Sequence, residues 1–309
     1  ELKKTETIDV MDAVGSNIRV DTYGWEVKRI LPRINEDINE EWISDKTRYS
    51  CDGLKYQRLD VPYAKESNKL NKTTWEKAYK KIIEKIKETD PNAIAGFIGD
   101  LTNMETAYIA KEFFNKTIKS NNLESRINNY YVNKSNRENY IFNSSINGIE
   151  ESDLIIIIGA NPRYESTILN ARIRKANLMK KTPIYCFGDL GDLTYPYKIL
   201  NNDTVYIKEI IEGKNEISKK IVDSKKPLII FGQSFLKMKS AKYIFESMKN
   251  YLKSIDKIND KWNAINVLSN NASTVGSYDL DIFSSDGDEN KALNDLTKGN
   301  INVLFLFGQ

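Results

Sequence analysis

The residue type with the largest consequence for this chain's chemistry is one it lacks: among its 309 residues there is no histidine. That removes an imidazole general base, a Ser-His-Asp triad and any histidine metal site. Two cysteines, Cys51 and Cys186, stand far apart, and neither has a partner at C-x-x-C spacing. An iron–sulfur cluster takes about four thiolates, so the chain alone is expected to hold none, and both thiols read as small buried hydrophobes. The best remaining candidate is the loop Gly159-Ala160-Asn161-Pro162-Arg163, set between an apolar run and a helical pattern. Backbone N–H groups at a helix start, with an arginine beside them, suit a phosphate. Neither G-x-G-x-x-G nor G-x-x-x-x-G-K-[ST] is present, so Gly159, Asn161 and Arg163 are read as a structural turn, with an anion seat as the rival. The carboxylates Glu36, Asp37, Glu40, Glu41 and Asp45 fall on one short stretch. A metal cluster or acid–base pair is conceivable there, but a solvated or interface-facing helix is expected. Asp281, Asp286, Asp288 and Glu289 around Gly287 loosely resemble a calcium loop. The glutamate at the twelfth position is missing, which favours an exposed acidic turn. No catalytic residue and no metal ligand is therefore assigned.

Composition narrows the classes further. Lys and Arg total 46 against 43 Asp and Glu, and the basic residues are scattered, which speaks against a dedicated nucleic-acid binder. The longest apolar runs, Leu154–Ile158 and Val303–Phe307, are far too short for a helix across a bilayer. The first residues, Glu1-Leu2-Lys3-Lys4-Thr5-Glu6, lack the apolar core of a secretory signal and the acid-poor character of a transit peptide.

The elements that must position these residues fall into two parts. Residues 1–60 read as a small β-rich lobe. Asn17–Thr22 and Glu26–Leu31 alternate about Tyr23-Gly24-Trp25, a hairpin signal, and Asp37–Asp45 reads as a short acidic helix carrying Trp42. Residues 61–309 read as an α/β domain. Thr74 caps a helix with Trp75, Ala78, Tyr79, Ile82, Ile83 and Ile86 on one stripe, and Pro91 ends it. Short apolar runs at 93–98, 154–158, 183–187, 228–231 and 303–307 alternate with helical patterns near 104–118, 164–178 and 241–252. Continuous apolar strands separated by helices predict a doubly wound, largely parallel sheet, with ligands at the strands' carboxyl ends. The pattern fixes no strand order. The sequence stops just after a strand that reads as central, so the domain is expected to be incomplete at its carboxyl end, a fragment or one half of a split protein.

The run Thr7-Ile8-Asp9-Val10-Met11-Asp12-Ala13-Val14-Gly15-Ser16-Asn17-Ile18 resembles the start of the carboxyl-terminal module of the large iron–sulfur subunit of complex I, NADH–ubiquinone oxidoreductase. Arg29-Ile30-Leu31-Pro32-Arg33 and the segment from Glu36 through Trp42 to Arg48 continue the likeness, in its mitochondrial form. So do Gly159-x-Asn161-Pro162-Arg163, Asn170-Ala171-Arg172-Ile173-Arg174-Lys175, Asp192-Leu193-Thr194-Tyr195 and Val303–Gly308. The resemblance implies a molybdopterin-oxidoreductase-like fold used as a scaffold in the peripheral arm, on the matrix side of the mitochondrial inner membrane. In that larger family the first lobe holds a cluster and the G-x-N-P loop helps bind a pterin. Ser44 stands where a Cys-Asp-x-x-Arg pattern would carry a cluster cysteine, so the lobe is expected to be cluster-free and the loop vestigial. The iron–sulfur clusters are expected in a neighbouring, cluster-bearing half. The expected partners are that half, other peripheral-arm subunits and a chain completing the carboxyl-terminal sheet, with no nucleic acid and no direct membrane insertion. The rival is a free-standing α/β enzyme or binding protein with a phosphate-bearing ligand at Gly159–Arg163.

Overall fold

The computed structural model describes residues 1–284 and 289–308. Strand β1 (Lys3–Ile8) pairs antiparallel with β2 (Asn17–Tyr23), which forms the expected hairpin with β3 (Glu26–Pro32) through Gly24, at a φ of +57°. The acidic stretch Asp37–Asp45 is not the helix its carboxylates suggested. It is a set of turns closed by an Asn35–Glu40 bridge, and helix α1 (Asp45–Tyr49) begins only at its end. The cause is the buried side chain of Asn39. Its amide nitrogen donates to the carbonyls of Arg33 (3.2 Å) and Trp42 (3.1 Å), and its Oδ1 accepts from the Asn17 N–H (2.8 Å). Such side-chain bonds outcompete a helix, and Glu40 is left at a φ of +49°, outside helical space.

A second hairpin, β4 (Tyr63–Glu66) and β5 (Lys69–Lys72), leads into helix α2 (Trp75–Glu88), whose first turn is capped by Thr74 Oγ1 accepting from the Lys77 N–H. Strand β6 (Ile94–Ile98) is buried along its whole length. It is followed by α3 (Met104–Glu112), a π-helical continuation to Ile118, and the short strand β7 (Leu123–Glu124). Then come β8 (Leu154–Ile158), α4 (Pro162–Glu165), α5 (Thr167–Lys180), β9 (Ile184–Phe187) and β10 (Lys198–Leu200). Helices α6 (Thr204–Ile211) and α7 (Glu216–Asp223) precede β11 (Pro227–Gly232), α8 (Gln233–Leu236) and α9 (Ala241–Ser254). A small hairpin, β12 (Ile258–Asn259) with β13 (Trp262–Asn263), leads to β14 (Ile265–Leu268). Helices α10 (Thr274–Asp279) and α11 (Lys291–Thr297) precede the last strand, β15 (Val303–Phe307).

The parallel α/β reading holds, with the strands divided between two sheets. One has the order β10-β9-β8-β11-β14 and every neighbouring pair in it is parallel. The other has the order β15-β6-β7, again parallel. The largest apolar cluster lies around the five-stranded sheet, and every residue of β8 and β11 is buried, as expected for strands covered on both faces. A smaller cluster packs α3 and the π-helical Phe114 onto β6. Gly96 is required there: a Cβ on it would lie 2.6 Å from the Phe114 ring. Strand β15, apolar enough to read as central, is an edge strand among the described residues.

Candidate functional site: a closed switch point and an inter-lobe clamp

In the five-stranded sheet the chain runs outward from β8 to β9 and β10 on one side, and places β11 and β14 on the other. The boundary between β8 and β11 is therefore the topological switch point, where an open α/β sheet ordinarily binds its ligand. The loop Gly159–Arg163 sits there, at the carboxyl end of β8. The placement inferred from sequence is right; the crevice it should line is filled by the chain itself. Gly159 has a φ of +66°, and a Cβ on it would stand 2.4 Å from the Phe235 backbone nitrogen. A Cβ on Gly232, at the end of β11, would stand 2.2 Å from the Gly159 carbonyl oxygen. That carbonyl accepts from the Ser234 N–H at 3.2 Å. The two loops meet backbone to backbone.

The polar groups of the loop are likewise spent internally. Asn161 N–H donates to Glu165 Oε1 at 3.0 Å, and Asn161 Nδ2 donates to the Leu190 carbonyl at 3.1 Å. Arg163 Nη1 donates to Asp192 Oδ2 at 2.7 Å and to the Asp192 carbonyl. Asp192 is held below the usual carboxylate range, first by the Thr194 N–H and then by Arg163. Burial pushes the Glu165 carboxyl above its ordinary range. The buried side-chain atoms here that lack a partner are Asn161 Oδ1, Glu165 Oε2 and Ser166 Oγ. A phosphate-bearing pterin or nucleotide needs donors and positive charge at this point. The loop instead presents the Glu165 carboxyl and the Asn161 carbonyl oxygen, with the Ser166 hydroxyl as its one unpartnered donor and its arginine already paired with Asp192, so it does not supply the positive charge such a group needs.

The small lobe, expected from its sequence to be cluster-free, is held by its own polar contacts. Ser44 caps α1: its Oγ accepts from the Thr47 N–H (3.1 Å) and lies 2.8 Å from Thr47 Oγ1, which donates to Asp9 Oδ2 (2.8 Å). Asp9 Oδ1 accepts from the Met11 N–H and Asp12 Oδ1 from the Val14 N–H, at 3.1 and 2.9 Å. Burial raises the Asp12 carboxyl above its usual range. Cys51 is buried, with its Sγ against the Arg48 carbonyl at 3.8 Å. Cys186 is enclosed in β9, where burial pushes its thiol up to about 12. Among the described residues no group of three or more carboxylates and thiols could hold a metal. Of the acidic turn considered as a calcium loop, Asp286, Gly287 and Asp288 lie outside the described residues.

What the sequence did not assign is the work of Asn170–Lys175 on α5. Buried Arg172 reaches across to the small lobe: Nε and Nη2 donate to the Ile38 carbonyl (3.2 and 3.1 Å), and Nη2 also donates to the Glu36 carbonyl. Its Nη1 bonds Glu150 at 2.5 Å and lies 3.2 Å from Glu40 Oε1. Lys175 pairs with Glu40 and, at 3.1 Å, with Glu150; the Glu40 contact raises its pKa. On the other side, Asn170 Nδ2 donates to the Leu193 carbonyl (3.0 Å), Tyr195 Oη donates to Asn170 Oδ1 (2.9 Å), and Arg174 Nε donates to the Thr194 carbonyl (3.2 Å). One helix thus ties the Glu36–Glu40 turns to the Asp192–Tyr195 loop. Of the acidic set considered for metal or acid–base work, Glu40 is half of this clamp, while Asp45 opens α1.

A family model for molybdopterin oxidoreductase matches residues 58–309. The chain belongs to that family. A second model, described as NADH-ubiquinone oxidoreductase NDSU1/NuoG-like, 4Fe-4S domain, matches residues 2–52. That stretch contains a single cysteine, Cys51, in the buried setting just described, so its residues do not fit a cluster of about four thiolates. Among curated proteins the chain is 42% identical over 298 residues to the NADH-ubiquinone oxidoreductase 75 kDa subunit of Reclinomonas americana, a match covering 92% of this chain and 43% of that one. It is 40% identical over 288 residues to the mitochondrial NADH-ubiquinone oxidoreductase 78 kDa subunit of Neurospora crassa, covering 91% and 38%. It is 40% identical over 298 residues to the mitochondrial 78 kDa subunit of Candida albicans, covering 94% and 41%. The resemblance carried by the Thr7–Ile18 run and the G-x-N-P loop is borne out by these relatives. The chain spans about two fifths of the length of the relatives it matches.

Proposed function

We propose that this chain is a non-catalytic structural part of the peripheral arm of respiratory complex I, NADH:ubiquinone oxidoreductase, bracing the cluster-bearing half of the same subunit. The observation that carries the reading is the closed switch point: Gly159, Gly232, Phe235 and the Glu165 carboxyl occupy the place where a family ligand would lie. The free-standing enzyme draws no support from that geometry, since Arg163 is committed to Asp192. The reading divides the chain near residue 60 into a former cluster lobe and an α/β domain. Electrons pass through the neighbouring half, and this chain holds no redox centre. The partners are other peripheral-arm subunits, that cluster-bearing half, and a polypeptide completing the sheet at Val303–Phe307. The location is the matrix face of the mitochondrial inner membrane. The names of the mitochondrial relatives favour it, and no helix among the described residues is long and apolar enough to cross a membrane.

Iron and molybdenum analysis and low-temperature EPR on the chain test the reading directly. Both should be silent, and a stoichiometric cluster signal would overturn it. In the assembled complex Arg163→Ala should leave turnover per complex unchanged and cost at most about 1 kcal/mol of stability, as for most half-exposed sites. Loss of turnover in full assemblies would hand the case to the enzyme.

A further inference from the structure

The small lobe buries acid without a counter-charge. Asp9 and Asp12 are 3% and 2% exposed, and among the described residues no lysine or arginine forms an ion pair with either. Lys46, exposed on α1, acts on Asp12 only from a distance. The donors that reach the two carboxylates are neutral: the Met11 and Val14 N–H groups and the Thr47 hydroxyl. Asp12 Oδ2 receives none among the described residues. A buried carboxylate ordinarily meets a cation, a metal or a proton. A second anomaly lies beside it. Ser16 is 1% exposed, and its Oγ is shut off from solvent with no hydrogen-bond partner. The register of β1 on β2 pairs Ile8 with Asn17, so Asp9 stands opposite Ser16, and the Asp9 N–H donates to the Ser16 carbonyl at 2.8 Å. Residues opposite each other in an antiparallel pair send their side chains to one face. Here that is the inner face, since Ile8 and Val10 on either side of Asp9 are exposed. The Ser16 hydroxyl is thus aimed to the side on which the Asp9 carboxylate lies, and the charge of Asp9 is felt in turn at Asp12.

We infer that Asp9, Asp12 and Ser16 hold one hard divalent cation, calcium or magnesium, in the loop that joins β1 to β2. The donor set decides the class. Two carboxylates and a hydroxyl, with water completing the shell, suit these two ions. With no thiolate among the three and no histidine in the chain, the set offers nothing to zinc, copper or an iron–sulfur cluster. A proton on Asp12 would cancel one charge and leave the Ser16 hydroxyl as isolated as before. A cation at about 2.3–2.6 Å from each ligand instead gathers oxygens that stand beyond hydrogen-bond reach of one another. Thr47 fixes the Asp9 carboxylate from behind: its hydroxyl donates to Oδ2 and is itself 2.8 Å from Ser44 Oγ, while Oδ1 keeps a free acceptor site beside the Met11 N–H. The ion is structural. It neutralises the buried pair and ties the Asp9–Ser16 loop to the first two strands, and being closed-shell it adds no redox centre.

The test strips the full chain with a chelator and titrates it with calcium chloride and, separately, with magnesium chloride, read by calorimetry and by thermal melting. A single equivalent of at least one ion should bind, with a Kd of about 10⁻⁴ M for so few carboxylates, and the melting temperature should rise with occupancy. Asp12→Asn should weaken binding at least about tenfold, since charged ligands set the affinity of such sites. Ser16→Ala, which removes a lone hydroxyl and so leaves the fold intact, should weaken it less but measurably. Glu41→Gln, on the exposed turns near α1, should bind like the parent. The inference falls if the stripped chain takes up neither ion at about 10 mM, a hundredfold above that Kd, or if Asp12→Asn and Ser16→Ala both bind like the parent. It falls equally if Asp12→Asn melts higher than the stripped parent and the parent responds to neither ion, which would assign the buried charge to a proton. Neither ion gives an EPR signal, so a cluster signal would bear on the complex I reading alone.

Discussion

The two parallel sheets are made of the same material and finished differently. In the five-stranded sheet β8 is buried end to end between β9 and β11, and its carboxyl edge is sealed by Gly159, Gly232 and Phe235. In the three-stranded sheet β15 is flanked on one side only, and the adjacent α2 turns an aromatic and aliphatic stripe outward. The place where this fold ordinarily takes a small ligand is shut, and the place where an apolar strand could take a further neighbour is open.

The contrast can be broken at the sealed end first. Gly159→Ala adds a Cβ against the Phe235 backbone at a left-handed φ, and should cost about 2–5 kcal/mol: about 1–2 for the backbone and about 1–3 for the clash. If the urea midpoint barely moves, the switch point is not closed as described. Next comes the clamp. Arg172→Ala takes the donor from the Glu36 and Ile38 carbonyls and leaves Glu40 and Glu150 to Lys175 alone, for about 2–3 kcal/mol after allowing for the partial exposure of its partners. Amide exchange at residues 36–40 should rise with it, and unchanged exchange would mean that the lobe is held by other contacts.

A smaller effect concerns charge at the sealed end. Burial raises the folded-state pKa of Glu165 above its unfolded value, so the stability from its protonated form is complete below the unfolded pKa and lost as pH rises through the folded one. Glu165→Gln should therefore melt higher than the parent at about pH 8, with the gap closing towards about pH 3, well below the unfolded-state pKa, where both states of the parent are protonated. A gap independent of pH would remove the buried carboxylate from the account. Smallest of all, Ile83→Ala on the open side should change the stability of the chain by itself by no more than about 0.5 kcal/mol, because its side chain is half exposed. A larger loss would mean that the stripe is already covered.

Much of this was readable from the residues. The apolar runs at β6, β8, β9, β11 and β15, the cap at Thr74 and the position of the Gly159 loop all follow from local pattern, because strands buried on both faces announce themselves by composition. What stayed hidden depends on contacts distant in sequence. Strand β1 alternates charge with polarity and buries nothing, so its pairing with β2 leaves no periodic mark. The Asp37–Asp45 stretch looked helical because the competing force, one asparagine amide bonded to Arg33, Trp42 and Asn17, has no one-dimensional signature. The clamp joins Arg172 to residues near Glu36, and the motif showed only that these residue types recur in the family. The closure of the loop by Glu165 comes from four residues downstream, yet a carboxylate at that spacing reads equally well as solvent-exposed.

The order of strands also dictates an order of events in time. β6 waits for β15, and the whole five-stranded sheet, with all its helices, is threaded between them in the chain. Pairings this remote in sequence are slow to form, because a long loop must close before any contact rewards it. As the polypeptide leaves the ribosome amino end first, β8, β9, β11 and β14 can assemble while β6 and α2 stand uncovered. The three-stranded sheet thus closes after the five-stranded one, and until β15 arrives β6 offers an apolar, unpaired edge to whatever chaperone or partner reaches it first.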